Sequence, residues 1–143
     1  MSYRPYKDLK TSGIQINYAN GSGTTISKGT PVCQKNTGSI DFVNVSVESD
    51  AFGFMGIAGS NISNLLKGPV ATNGRVEDVT VTGSFGDCLY ISKTGSLTTT
   101  KPEIGVDGFL ALDFVLRVGV IVKNETNPIL KDIVLDIQLV GQL

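Results

Sequence analysis

From residue 14 onward the chain alternates apolar and polar positions in short runs that glycines keep interrupting. "IQINY" sets Ile14, Ile16 and Tyr18 against Gln15 and Asn17, the period of two that predicts a half-buried strand. The Asn20-Gly21 step and Gly23 follow, residues that accept the positive φ of a tight turn. "TPVCQ" predicts a short strand with Pro31 at its start, where a missing N–H costs least. After a Thr37-Gly38-Ser39 turn, "IDFVNVSV" reads as a β segment whose phase slips between Phe42 and Val43, the mark of a bulge. "AFGFMGIAG" is an apolar strand spaced by glycines, so another backbone approaches it closely or it bends at a barrel corner.

Residues 61–68, "NISNLLKG", are the best helical candidate: Asn61 or Ser63 caps one turn near 61–67, Leu65 and Leu66 face inward, and Gly68 stops it. Asn73-Gly74 predicts a turn into "RVEDVTVTG", which resumes alternation at Val76, Val79 and Val81. "LTTTKPEIGVDG" reads as loop. "FLALDFVLRVGVIV" is apolar enough for a helix or a buried strand, and its β-branched run from Val118 to Val122 favours strand. In "ILKDIVLDIQLVGQL" the residues Ile133, Leu135, Ile137 and Leu139 share one face of a strand, with a helix as the alternative.

One phrase occurs twice. "GTPVCQKNTGSI" and "GDCLYISKTGSL" align at an offset of 57, matching Gly29 with Gly86, Thr37 with Thr94, Gly38 with Gly95 and Ser39 with Ser96. Farther on, Gly56 in "FMGIA" answers Gly119 in "RVGVI" at an offset of 63. Each copy then reads as three strands, and two such units joined by their apolar faces would make one closed or nearly closed sheet. The other reading is a short turn motif recurring by chance in a chain rich in Gly, Ser and Thr. Either way, the repeated positions are turn formers and core residues, which points to architecture.

Composition narrows the class without adding chemistry. In 143 residues, 41% are hydrophobic and only 17% charged, with 17 glycines and no tryptophan, as in a turn-rich β protein. The formal charge of −1 and the lack of any like-charge run argue against nucleic acid, which needs a clustered basic footprint. The N-terminus lacks the apolar core of a signal peptide, and no window approaches a membrane span, so neither export nor a membrane is expected. Cys33 and Cys88 then read as two buried thiols rather than a disulfide.

Candidate chemistry is sparse. With no histidine, the commonest general base and zinc ligand are missing, along with every Ser-His or Cys-His arrangement. Asp41, Glu48, Asp50, Glu77, Asp78, Asp87, Asp107 and Asp113 are scattered over turns and strand edges, where solvated charges sit. A calcium site at Asp107, or at Glu77 with Asp78, would lack the usual Asp-x-Asp-x-Asp ladder. Tyr3, Tyr6, Tyr18, Tyr90, Phe52, Phe54 and Phe85 are either ordinary packing groups or a surface for stacking sugars. No catalytic residue, cofactor or metal is expected, and a small hydrolase using Asp or Cys is the least favoured reading.

The series "NYANGSGTTISKGTPV", "GFMGIAGSNISNLLKGPVATNGRV", "VTGSFGDCLYISKTGSLTTTKP" and "RVGVIV", spanning roughly Asn17 to Val122, resembles the small β-rich decoration or cement proteins of tailed-phage heads and related virion surface modules. The resemblance lies in the order of a Gly-bounded turn, a G-x-P-V strand, a G-I-A strand, a GD-x-[LV]-Y-[IV]-S strand, a Thr-rich loop and an R-V-G-V strand. Cys33, Cys88 and the apolar stretch 129–143 depart from that pattern. The resemblance implies a noncatalytic virion protein that binds the major capsid protein of an assembled shell, commonly as a homotrimer or other cyclic oligomer. A tail- or fibre-associated module binding host-surface carbohydrate is the alternative.

The sequence thus predicts an all-β protein, a compact barrel or sandwich of short strands, with an extended N-terminal arm over 1–13 and a single domain over 14–143. The candidate interface residues are Tyr3 and Tyr6 on the arm and Ile133, Leu135, Ile137 and Leu139 on the last strand, because an extended segment can pair its backbone with a neighbour.

Overall fold

The computed structural model describes residues 15–143; the arm 1–13, with Tyr3 and Tyr6, and Ile14 lie outside the described residues. Its first five strands are β1 (Gln15–Ala19), β2 (Pro31–Gln34), β3 (Ile40–Phe42), β4 (Phe54–Ala58) and β5 (Lys67–Ala71), with one short helix, α1 (Glu48–Gly53), before β4. The second five are β6 (Arg75–Val76), β7 (Cys88–Ile91), β8 (Leu97–Thr98), β9 (Phe114–Lys123) and β10 (Lys131–Gln142). They form two antiparallel sheets ordered β1-β5-β4-β2-β3 and β6-β10-β9-β7-β8. One order becomes the other when five is added to every strand number, so the two halves share a topology.

The correspondence extends to single bonds. Val32 faces Gly56 and Cys33 faces Phe54 across a bulge; at the same offsets Leu89 faces Gly119 and Tyr90 faces Arg117 across another. The Gly29 amide donates to the Ala58 carbonyl at 2.8 Å, and the Gly86 amide to that of Ile121 at 2.7 Å. The Thr-Gly-Ser turns close alike: Lys35 N–H reaches Ser39 O at 2.9 Å and Ser92 N–H reaches Ser96 O at 2.7 Å, with φ +85° at Gly38 and +87° at Gly95. Gly56 and Gly119 are glycine because a Cβ at the first would run into the Ala71 carbonyl oxygen and at the second into that of Val134. Close backbone approach, one of the two readings of the glycine spacing around Gly56, is what both positions serve. The repeating unit is one of five strands rather than three, and the units stack as a sandwich of separate sheets instead of joining into one closed sheet.

Burial shows how they stack. The main core joins Cys33, Phe54, Ile57 and Ala71 of the first sheet with Leu89, Val118, Ile121 and Ile133 of the second. By the repeat correspondence these are opposite faces, since Leu89, Ile121 and Ile133 answer Val32, Ala58 and Val70. In the first half that face closes on its own loops, with Val32, Ile40, Ala58 and Val70 packed under Ile26 and Ile62, which pair as an isolated bridge. The packing is therefore head to tail rather than face to same face. β9 and β10 also run on together beyond β7 and β6, to Phe114 paired with Gln142, with register shifts between Leu135 and Gln138 and between Leu139 and Gly141. The Phe114 amide there donates to Val45 O at 2.8 Å, tying the halves together.

Three local expectations are corrected. Residues 61–67 form no helix. Ile62 exchanges backbone bonds with Ile26, and Asn20 Nδ2 donates to Ile62 O at 2.8 Å, so the groups a helical turn would need are already bonded. Leu65 has φ +65° and is 78% exposed, and Leu66 is exposed as well. The helix stands instead at α1, where Glu48 and Asp50 occupy the first turn and Asp50 and Ala51 are buried. β3 ends at Phe42, so the slip between Phe42 and Val43 is the end of a strand rather than a bulge within one; Val43 and Val45 enter the core from a loop. β1 is an edge strand, and its Ile16 is exposed rather than half-buried.

Candidate functional site

Two buried carboxylates organise the polar chemistry. Asp50 on α1 and Asp113 just before β9 are 3% and 4% exposed, and they occupy equivalent places, 63 positions apart, in the two repeats. Asp50 pairs with Lys35 and accepts the Asn44 amide at 3.0 Å. Asp113 accepts from Lys93 Nζ at 2.6 Å, Ser46 Oγ at 2.8 Å and the Leu110 amide at 2.8 Å. Burial pushes the Asp113 pKa up, but hydrogen bonds from Lys93, the Leu110 amide and Ser46, with the Lys93 charge, outweigh it and leave it below the ordinary carboxylate value. The Lys35 pKa is raised, mainly by its bond to Asp50, against the opposing effect of burial. Sequence reading placed both aspartates among solvated surface acids; the structure buries them as anchors.

The Asp113 cluster joins the halves, because Ser46 belongs to the first repeat and Lys93 and Asp113 to the second. Lys93 Nζ also meets Ser46 Oγ at 2.6 Å, which brings a hydroxyl and an amine together as a nucleophile and base would be. The same Lys93 Nζ is ion-paired with the buried Asp113 carboxylate. The grouping has the chemistry of an ion-paired clamp.

A third buried acid, Asp132, is 0% exposed. It accepts from Asn124 Nδ2 at 3.1 and 3.2 Å and from the Asp78 amide at 3.0 Å, with Arg75 at 3.5 Å. It fastens the loop after β9 to the sheet. Among the described residues no three His, Cys, Asp or Glu side chains gather as a metal site would require, and Asp107, Glu77 and Asp78 do not assemble into one. Both cysteines are free thiols. Cys33 is wholly buried, and its pKa is pushed up to about 11 by burial first and then by Asp50, so it carries little thiolate near neutrality. Cys88 is half-buried rather than buried.

Two of the exposed surfaces lie near the joint between the repeats. An open cleft of about 370 Å³ is lined by Phe42, Val43, Asn44, Ser46, Lys93 and Thr94 at the junction of the repeats. The other is apolar and lies where the β9–β10 extension ends. Phe52 on α1, 64% exposed, leans on Phe114 with ring centroids 6.1 Å apart. Leu112, 69% exposed, donates its amide to Leu143 O at 2.6 Å, and Leu139 and Val140, late in β10, are exposed too. Sequence reading missed Leu112 and treated Phe52 only as one aromatic among several.

The predicted interface residues on β10 divide. Ile133 and Leu135 are buried in the shared core and cannot present side chains to a partner; Ile137 is half-buried; Leu139 is exposed. Their common face breaks because the pairing register shifts between Leu135 and Gln138. Among the described residues the aromatics do not gather into one stacking surface. Phe54 is in the core, Tyr18 and Tyr90 are half-buried, and Phe52 with Phe114 is the ring pair found among the described residues. No described helix is long and apolar enough to cross a membrane. Compared with known families and with curated proteins, the sequence matches no family model and no individual relative.

Proposed function

We propose that this chain is a virion structural protein that decorates a phage capsid, binding across subunits of the major capsid protein and stabilising the shell without catalysis. The observation that carries the reading is the exposed Phe52 backed by the Phe114 ring, one of several large apolar side chains left in water, Leu112, Leu139 and Val140 among them. An exposed aromatic backed by a second ring is a suitable anchor for a pocket. The polar groups support the same reading, since the buried acids are spent on tying loops and repeats together. Copies on a symmetric lattice need little affinity each, because neighbouring contacts act together. The protein's place is then the virion, after assembly in the host cytoplasm. The test is cosedimentation of purified protein with assembled heads that lack it. The wild-type chain pellets with the heads and Phe52→Asp stays in the supernatant; wild-type protein that never pellets removes the proposal.

The alternative is a tail- or fibre-associated module that binds host-surface carbohydrate. It is favoured by the cleft in which Phe42 borders Asn44, Ser46, Lys93 and Thr94, an apolar ring beside hydroxyl, amide and ammonium groups. Glycan-array binding that disappears in Phe42→Ala and Asn44→Ala would select it over decoration.

A further inference from the structure

Asn-Gly steps occur at Asn20-Gly21 and at Asn73-Gly74, and the fold treats them in opposite ways. Asn20 is wholly buried. Its Oδ1 accepts the Ser22 amide at 2.9 Å, and its Nδ2 donates to Thr24 O at 2.7 Å and to Ile62 O at 2.8 Å. The Gly21 amide donates to Ile40 O at 2.9 Å. Asn73 is exposed. It stands with Gly74, at φ +76°, in the turn between β5 and β6 that joins the two repeats. The Gly74 carbonyl accepts the Leu135 amide at 2.8 Å, but among the described residues the Gly74 amide makes no backbone hydrogen bond. Asn73 is not without a partner, yet its bond lies at the surface, where water competes for it.

We propose that Asn73 is a site of spontaneous covalent modification, with water as the second reactant. The Gly74 amide nitrogen gives its proton to hydroxide and attacks Asn73 Cγ. The new N–Cγ bond closes a succinimide ring, and the Cγ–Nδ2 bond breaks as ammonia leaves with a proton taken from water. Water then opens the ring. Cleavage between the nitrogen and Cγ gives an aspartate on an unchanged backbone, whereas cleavage between the nitrogen and the Asn73 carbonyl carbon gives an isoaspartate, with the backbone running through the side chain. Glycine favours the attack because no side chain shields its nitrogen and its backbone turns freely. At Asn20 the nitrogen that would attack is bonded to Ile40 and the amide it would attack is held in the interior, so reaction there waits on local unfolding. Either product at Asn73 adds a carboxylate next in the turn to Arg75, which lies 3.4 Å from Glu125 and 3.5 Å from Asp132. Isoaspartate also lengthens the backbone by a methylene beside the Gly74–Leu135 bond. The modification is independent of the role assigned to the Phe52 surface.

The experiment is peptide mapping by mass spectrometry on the full chain after incubation in mildly acidic and mildly alkaline buffer, native and in urea, with isoaspartyl methyltransferase labelling to separate the two products. In the native protein the Asn73 peptide converts about tenfold faster than the Asn20 peptide or more, and faster in alkaline buffer because the amide must lose its proton. In urea the two convert at similar rates. Asn73→Ser, which keeps Gly74 and its turn, loses the earliest acidic form on ion exchange. Should that variant fail to fold, the ratio of the two wild-type sites, native against urea, decides alone. A native chain in which Asn73 stays intact, equal conversion of Asn20 and Asn73 in the folded protein, conversion that ignores pH, or an acidic form that persists at the wild-type rate in a folded Asn73→Ser overturns the proposal.

Discussion

Asp113 is the residue on which the joint between the two halves turns. Its carboxylate accepts from Lys93, Ser46 and the Leu110 amide, and its pKa lies below the ordinary 3.8. A depressed carboxylate contributes stability in full above its unfolded pKa and loses it as pH falls through the folded value. Urea midpoints should therefore drop in acid below about pH 4, and Asp113→Asn should flatten that limb. Lys93→Met, which leaves the buried carboxylate without its cation, should cost about 2–4 kcal/mol at neutral pH, read from the same urea curves. Gly119→Ala should cost about 2–3 kcal/mol, because the added methyl meets the Val134 carbonyl. Close approach at Gly56 was one of two readings of its small-residue spacing, and at Gly119 it follows only from the repeat. The buried aspartates carried a signal too, since Asp50 and Asp113 keep the 63-residue offset of those glycines. That signal is weak without the fold, because a carboxylate in a loop is normally solvated.

Among the elements, β10 is the one that changes character along its length. Its first part, to Leu135, lies between β6 and β9; beyond the register shift it pairs, among the described residues, only with β9. Ile133→Ala should cost about 3 kcal/mol, as expected for a large core side chain. Leu139→Ala should change stability by no more than about 0.5 kcal/mol, and chemical denaturation of the two variants checks both values. Equal losses would show that the two parts of the strand are packed alike. Strand identity was readable in β9 from its β-branched run and in β10 from its alternation, with a helix as the alternative for β10. Their faces were not, because a bulge moves the residues after it to the other side of the sheet. Residues 61–67 carry acceptable capping residues, but the bridge between Ile26 and Ile62 depends on a partner distant in sequence, which local propensity does not register. α1 was hidden for the converse reason, since six residues with no side-chain cap at Val47 give too little periodicity to detect.

At the scale of the whole molecule, the repeated phrase proved to be the visible part of a shared five-strand topology. The phrase reveals a β2–turn–β3 unit and, through the paired glycines, β4 and β9. It leaves out β1 and β6, which differ in length, and it says nothing of the stacking, because head-to-tail and face-to-face packing use the same apolar pattern. The stacking is what bears on function. Head-to-tail order closes the first repeat on its own loops and carries the β9–β10 ladder out towards the exposed Phe52 and Leu112. The proposed role rests on the exposed surfaces of this arrangement. It is tested most directly by heating DNA-filled heads that lack the protein, with and without the purified chain, and following DNA release with an intercalating dye. The account predicts release at a higher temperature once the chain is bound; identical release curves at saturating protein would contradict it.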